Sequence, residues 1–168
     1  MNLKNNIKKI KGYILLKNGK VYDSYEGSYE KLDILIKDDV ISRIDKNIER
    51  KSNYKIINCN KKIITNGFID LHVHFREPGF EYKESISTGA KSAFFGGFTR
   101  VCTMLNTDPI IDTPELINNI VNKSKLLPVY IHPIGAVTKG QKGLELSEIG
   151  EMVKEGAVAI SDDGIAIS

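Results

Sequence analysis

Residues 67–79 read Gly-Phe-Ile-Asp-Leu-His-Val-His-Phe-Arg-Glu-Pro-Gly, GFIDLHVHFREPG, and the reading of this stretch decides the fold. Phe68, Ile69, Leu71, Val73 and Phe75 are strand-forming residues. Alternate residues of a strand share a face. Asp70, His72, His74 and Arg76 therefore fall on one face, while Leu71, Val73 and Phe75 point the other way, towards covering helices. Same-face neighbours lie about 6.6–6.8 Å apart along a strand, a separation from which two imidazoles can converge on one metal ion. Neutral imidazole is the commonest side-chain metal ligand. Asp70, one rung earlier, is placed to accept a hydrogen bond from a ligand histidine. Arg76 lies one rung beyond. Burying such a face without a metal would leave several polar groups in need of partners.

Outward from this strand the chain has two textures. From Asn66-Gly67 onward, strands alternate with helices. The expected order is strand 68–75, helix 83–95 ending at Gly96-Gly97, strand 98–104, helix 113–124, strand 127–134, helix 144–154 and strand 157–161. The second helix carries the clearest start signal, with Thr113 as N-cap and Pro114 at the first helical position. Alternation of this kind implies a parallel sheet in an α/β layer structure. Residues 1–65 instead read as short strands with polar turns. There Asn18-Gly19 is a strong hairpin signal, between strands at 13–16 and 20–22. Asp38-Asp39 is a weaker turn signal between strands at 32–36 and 40–44. The domain boundaries expected are 1–65 for a small β-rich module and 66–168 for the α/β part.

The bulk numbers narrow the class. The chain has 168 residues, 41% hydrophobic and 27% charged, with a formal net charge of +3, ordinary for a globular protein. No basic stripe with interleaved aromatics argues for nucleic acid. Cys59 and Cys102 are far apart and in no CxxC pair, which gives no support to a disulfide or cysteine-zinc framework. No apolar run approaches a membrane span or a signal-peptide core. A cytoplasmic, reduced chain is the simplest reading.

DLHVHFREPG resembles the metal-binding signature of the amidohydrolase superfamily, and of the type I dihydroorotases in particular. KESISTGAKSAFFGGFTRV, MLNTDPIIDTPE and PIGAVTKGQKGLELSEIGEMVKEGAVAISDDG extend the resemblance over about residues 60–167. It implies the first half, about four βα units, of a (β/α)8 TIM-type barrel preceded by a small β-rich domain. It also implies a reaction, the reversible zinc-dependent cyclisation of N-carbamoyl-L-aspartate to L-dihydroorotate in de novo pyrimidine biosynthesis. The resemblance assigns His72, His74 and Asp163 to metal and His74, Arg76 and Asn106 to substrate, with Asp162 as the alternative to Asp163. Two zinc ions are implied for a full-length enzyme. Arg offers a planar fork to a carboxylate and an amide donates a further bond.

One departure is visible. Leu105 stands where the family usually has Pro, which leaves the path of that loop open. Hydantoinases and allantoinases carry a carbamylated Lys at the end of the fourth strand, and no Lys occurs between Lys154 and Ser168. The alternatives are such a cyclic amidohydrolase, or a non-catalytic dihydroorotase-like scaffold for aspartate carbamoyltransferase. Two further ligand histidines and a general acid/base Asp belong to later strands of the family's barrel, and the third histidine here, His132, matches no motif. The expectation is therefore an N-terminal portion of a longer enzyme, homo-oligomeric and inactive alone, with no catalytic acid/base of its own.

Overall fold

The structure, a computed structural model, describes residues 11–167. Residues 1–10 and Ser168, the outer ends of the two expected domains, lie outside the described residues. Two compact units result, and the chain passes from one to the other between Asn66 and Gly67.

The first unit is a five-stranded sheet. β1 (Tyr13–Asp23) pairs antiparallel with β2 (Ser28–Lys37), and β2 pairs antiparallel with β3 (Val40–Asp45). β4 (Tyr54–Asn58) and β5 (Ile63–Ile64) both run parallel to β1. Asp38 and Asp39 make the two-residue β2–β3 turn, with φ of 47° and 69°, the doubly left-handed form that matches strand twist. Asn18-Gly19 is not a hairpin turn, contrary to the sequence signal. β1 runs straight through it, and Lys17 and Asn18 together oppose Asp33 in a bulge. The reason is Asp33. Its Oδ1 accepts the Asn18 N–H at 2.8 Å, and its Oδ2 takes the Lys17 ammonium at 2.7 Å and the Ile48 N–H at 2.9 Å. The chain reverses instead between Asp23 and Ser28, where Asp23 Oδ1 accepts from Tyr25 and Glu26. Leu15, Leu35 and Ile48 form the small core.

The second unit is a curled, all-parallel sheet in the order β6 (Phe68–Val73), β7 (Phe98–Thr103), β8 (Tyr130–Gly135), β9 (Ala159–Ile160). Helices α1 (Ile86–Phe95), α2 (Pro114–Ser124) and α3 (Ile149–Glu155) follow the first three strands. This is the opening half of a (β/α)8-type barrel, as the strand–helix alternation implies. The core lies between sheet and helices, around Val101, Leu105, Ile111, Ile117, Val129, Ile134 and Met152. α1 begins later than its periodicity suggests, because Ser85 caps it reciprocally with Thr88. Its left-handed exit is at Gly97, φ 83°, one residue past the cap. α2 starts as expected, Thr113 accepting the Leu116 N–H. α3 starts five residues late. Residues before it are drawn back along the extension of β8, with Lys139 donating to the Glu145 carbonyl and Ser147 to that of Val137.

Strict alternation along β6 also fails. Leu71 and His72 together oppose Cys102, a second bulge. Val73 and Phe75 pack into the helical core as expected. Leu71 is 71% exposed and, with Ile69, Ile134 and Val158, lines the open face of the sheet.

Candidate metal centre

The strand ends of the second unit bring the candidate residues together. His72 lies at the C-terminal end of β6 and His74 just past it, while Asp163 follows β9. The two Nε2 atoms are 3.2 Å apart, and His72 Nε2 is 3.3 Å from Asp163 Oδ1. One ligand atom from each of the three residues lies within 4.8 Å of the others, the one such grouping among the described residues. Zinc–nitrogen bonds of about 2.0–2.1 Å in a tetrahedron place neighbouring ligand atoms about 3.3–3.4 Å apart. The two separations from His72 Nε2, 3.2 and 3.3 Å, match that value, so this donor set fits zinc. Burial first, then the Arg76 guanidinium, push the His74 imidazole below its ordinary pKa, while Asp163 pulls the other way. The neutral ring this favours is the form that ligates.

Asp70 is not the buttress that its spacing suggests. The bulge shifts its register, and it lines the α1 side with Val73, His74, Phe75 and Gly89. Its Oδ1 accepts the His72 backbone N–H at 3.0 Å, a donor that the interrupted ladder leaves free. The two candidate aspartates separate cleanly. Asp163 faces His72. Asp162 is buried, and its carboxylate accepts from Val137 N–H, Thr138 N–H and the Thr138 hydroxyl.

Arg76 opens the loop after β6 in a left-handed conformation, φ 61°. Its charge is felt at His74. Asn106 follows β7 in the neighbouring loop, and its amide oxygen is buried without a hydrogen-bond partner. Leu105 does not loosen that loop. It is fully buried, and its carbonyl accepts from Thr107 and Ile111. The two loops also meet directly, with Asp108 N–H donating to Pro78 O at 3.0 Å.

Sequence spacing does not mark Glu77. Its Oε2 accepts the first amide of α1 at 2.7 Å and its Oε1 takes Lys123 of α2 at 2.7 Å, tying the Arg76 loop to two helices. Burial alone would raise its pKa, but Lys123 and that amide hold it below the ordinary value. The one legible signal was a carboxylate beside the DLHVHFR run. Its partners, up to 46 residues away, are invisible to local pattern. His132, half-buried in β8, meets Arg100 Nη1 at 3.2 Å and stands apart from the metal grouping.

Comparison with known proteins gives the family. The family model described as dihydro-orotase-like matches residues 61–168. The chain is 50% identical to a dihydroorotase of Acetivibrio thermocellus over 90% of its own length and 35% of that protein's. It is 47% identical to a dihydroorotase of Caldicellulosiruptor saccharolyticus over 90% of its length and 36% of the relative's. It thus spans about a third of the curated relatives that it matches. Among solved structures, an L-hydantoinase (dihydropyrimidinase) from Arthrobacter aurescens superposes with a TM-score of 0.71 at 23% identity, covering 90% of this chain and 34% of that one. That likeness is one of fold. A D-hydantoinase (dihydropyrimidinase) from Thermus sp. gives 0.60 at 29% identity, covering 84% and 30%. With the family model spanning well over half of its residues, this chain belongs to the dihydro-orotase-like family.

Proposed function

We propose that the chain forms the metal-binding opening part of a dihydroorotase, which interconverts N-carbamoyl-L-aspartate and L-dihydroorotate by closing and opening a cyclic amide. The observation that carries this reading is the convergence of His72, His74 and Asp163, with His74 Nε2 and Asp163 Oδ1 both at zinc-like separations from His72 Nε2. His72, His74 and Asp163 would hold the ion, and a second zinc would share Asp163. A bound zinc supplies a lowered water pKa and polarisation of the amide carbonyl.

This chain's own residues do the positioning. Arg76 presents a bidentate fork for the substrate's free carboxylate, and Asn106 supplies an amide beside it. His74, held neutral, serves both the ion and the substrate side of the site. Fixing the carboxylate at one end orients the carbamoyl nitrogen for ring closure, a step governed by near-attack geometry. The dihydroorotase reading is preferred to the hydantoinase one because no Lys lies between Lys154 and Ser168.

Residues 1–65 are read as the flanking β-domain and 66–168 as barrel. With three histidines in the chain, the remaining ligands and the acid/base group must come from elsewhere in the enzyme, and the 168 residues alone are expected to bind metal without turnover. A homo-oligomer in the cytoplasm that associates with aspartate carbamoyltransferase completes the proposal. No helix among the described residues is long and apolar enough to cross a membrane.

The test is zinc stoichiometry by equilibrium dialysis on the wild-type chain and on His72→Ala. Uptake that disappears in the variant supports the site. Equal uptake by both refutes it.

A further inference from the structure

We propose that Asp162 is a positioning residue: its buried carboxylate clamps the turn after β9 to the loop after β8, and so aims the neighbouring Asp163 at the histidine pair. The inference rests on the metal-site reading above.

Asp162 is 3% exposed, a burial that a carboxylate tolerates only when its acceptors are used. Here they are. Oδ1 accepts Val137 N–H at 2.8 Å and Thr138 N–H at 3.2 Å, and Oδ2 accepts the Thr138 hydroxyl at 2.6 Å. The Thr138 oxygen in turn accepts Gly143 N–H at 3.0 Å, which directs its proton to Asp162. The Asp162 carbonyl accepts Gln141 Nε2 and Ile165 N–H, both at 3.0 Å. The residue is thus held at both its carboxylate and its carbonyl by groups 21 to 25 residues away in sequence, with Ile165 as a local addition.

Asp163, next in the chain, is in the left-handed region at φ 51°. A non-glycine residue stays there only when its surroundings over-determine it. Its own N–H donates to Ser161 Oγ at 2.9 Å, and the Asp162 clamp fixes the peptide that precedes it. The left-handed turn is what brings Asp163 Oδ1 to 3.3 Å from His72 Nε2. With both carboxylate oxygens taken by donors at and after the end of β8, Asp162 serves as a clamp and not as a ligand. Release of the clamp lets Asp163 relax away from the histidines, and the loss appears at the metal. Groups that orient a metal's ligands typically change affinity by about 10–100-fold.

The test uses the 168-residue chain, with zinc affinity measured by competition against a chromophoric chelator and the visible spectrum of the cobalt-substituted chain as a coordination signature. Asp162→Asn and Thr138→Val are compared with wild type and with Asp163→Ala, after circular dichroism shows each folded. Thr138→Val removes the hydroxyl's bonds to Asp162 and from Gly143 and keeps the two backbone N–H contacts to Asp162, so it decides the matter should Asp162→Asn not fold. The expected result is zinc affinity weakened about 10–100-fold, with a cobalt spectrum moved towards that of Asp163→Ala. A purely structural role would lower the melting temperature and leave affinity and spectrum unchanged, and that result overturns the proposal alone. A wild-type chain that takes up no zinc overturns the metal-site reading and this proposal with it.

Discussion

Replacing Asp33 by alanine should strongly destabilise the β-rich unit, and the structure sets the size of the loss. Asp33 and Lys17 form an ion pair whose side chains are 2% and 12% exposed. The substitution leaves the Lys17 ammonium with the Asn47 side chain and the Ile48 carbonyl, but removes its counter-charge. It also strips the Asn18 and Ile48 amides of their acceptor. Removing one partner of a buried pair costs about 3–5 kcal/mol, and a buried amide left unpaired about 1–3 kcal/mol. These costs overlap, so about 4 kcal/mol is the working figure. Small domains are stable by about 0.05–0.15 kcal/mol per residue, roughly 3–8 kcal/mol for a unit of this size. The loss is therefore half the stability or more.

The assay is urea unfolding followed by tyrosine fluorescence. The chain has no tryptophan, and five of its seven tyrosines (Tyr13, Tyr22, Tyr25, Tyr29, Tyr54) lie in this unit. The effect carries a pH signature. Burial would raise the Asp33 pKa, but the Asn18 amide, Lys17 and the Ile48 amide together hold it below the ordinary carboxylate value. A depressed carboxylate contributes stability that is present above its unfolded pKa, about 3.9, and is lost as pH falls through the folded value. Wild type should lose stability in that acid window, and Asp33→Ala should lack this limb. A loss below about 1 kcal/mol, the scale of an exposed pair, or an unchanged acid limb would refute the reasoning.

Gly79→Ala should weaken the contact between the Arg76 and Asn106 loops. Gly79 has φ 93°, and an added Cβ would lie 2.1 Å from the Asp108 carbonyl oxygen. A strained backbone costs about 1–3 kcal/mol, and faster hydrogen exchange at the Asp108 amide is the readout; unchanged protection would count against it. Leu105→Ala should cost about 2–5 kcal/mol by cavity formation, since Leu105 is fully buried. Calorimetry that finds a neutral change would show the loop to be held by its hydrogen bonds alone. Burial, then Arg100, lower the His132 pKa. The folded state therefore binds its proton less readily than the unfolded chain. Stability on this account is complete above the unfolded value of about 6.5, falls as pH drops below it, and levels off beneath the folded pKa. His132→Gln should flatten that slope, and an NMR titration placing His132 at or above the ordinary value would contradict it.

Local pattern carried the strand–helix rhythm of the second unit, because period-2 and period-3.6 burial and capping chemistry act over a few residues. Thr113-Pro114 fixed the start of α2, and DLHVHFR marked the candidate metal strand, since two imidazoles on an apolar strand have few other uses. Resemblance supplied Asp163, Arg76 and Asn106. What local pattern could not supply was decided across the sheets. Asn18-Gly19 reads as a hairpin until Asp33, on the neighbouring strand, captures the free amide and makes it a bulge. Asp70 shares a face with both histidines in an ideal strand, but Leu71 and His72 against Cys102 shift the register, and its carboxylate bonds the His72 backbone amide. In SDDG both aspartates are equivalent on paper. Three donors from the end of β8 and the loop after it bury the first, and the left-handed turn that follows delivers the second to His72. Strand propensity, helix caps and ligand types are properties of neighbouring residues, so sequence alone determined them. Register and carboxylate partners depend on groups brought together from distant parts of the chain, so only the tertiary structure decided them.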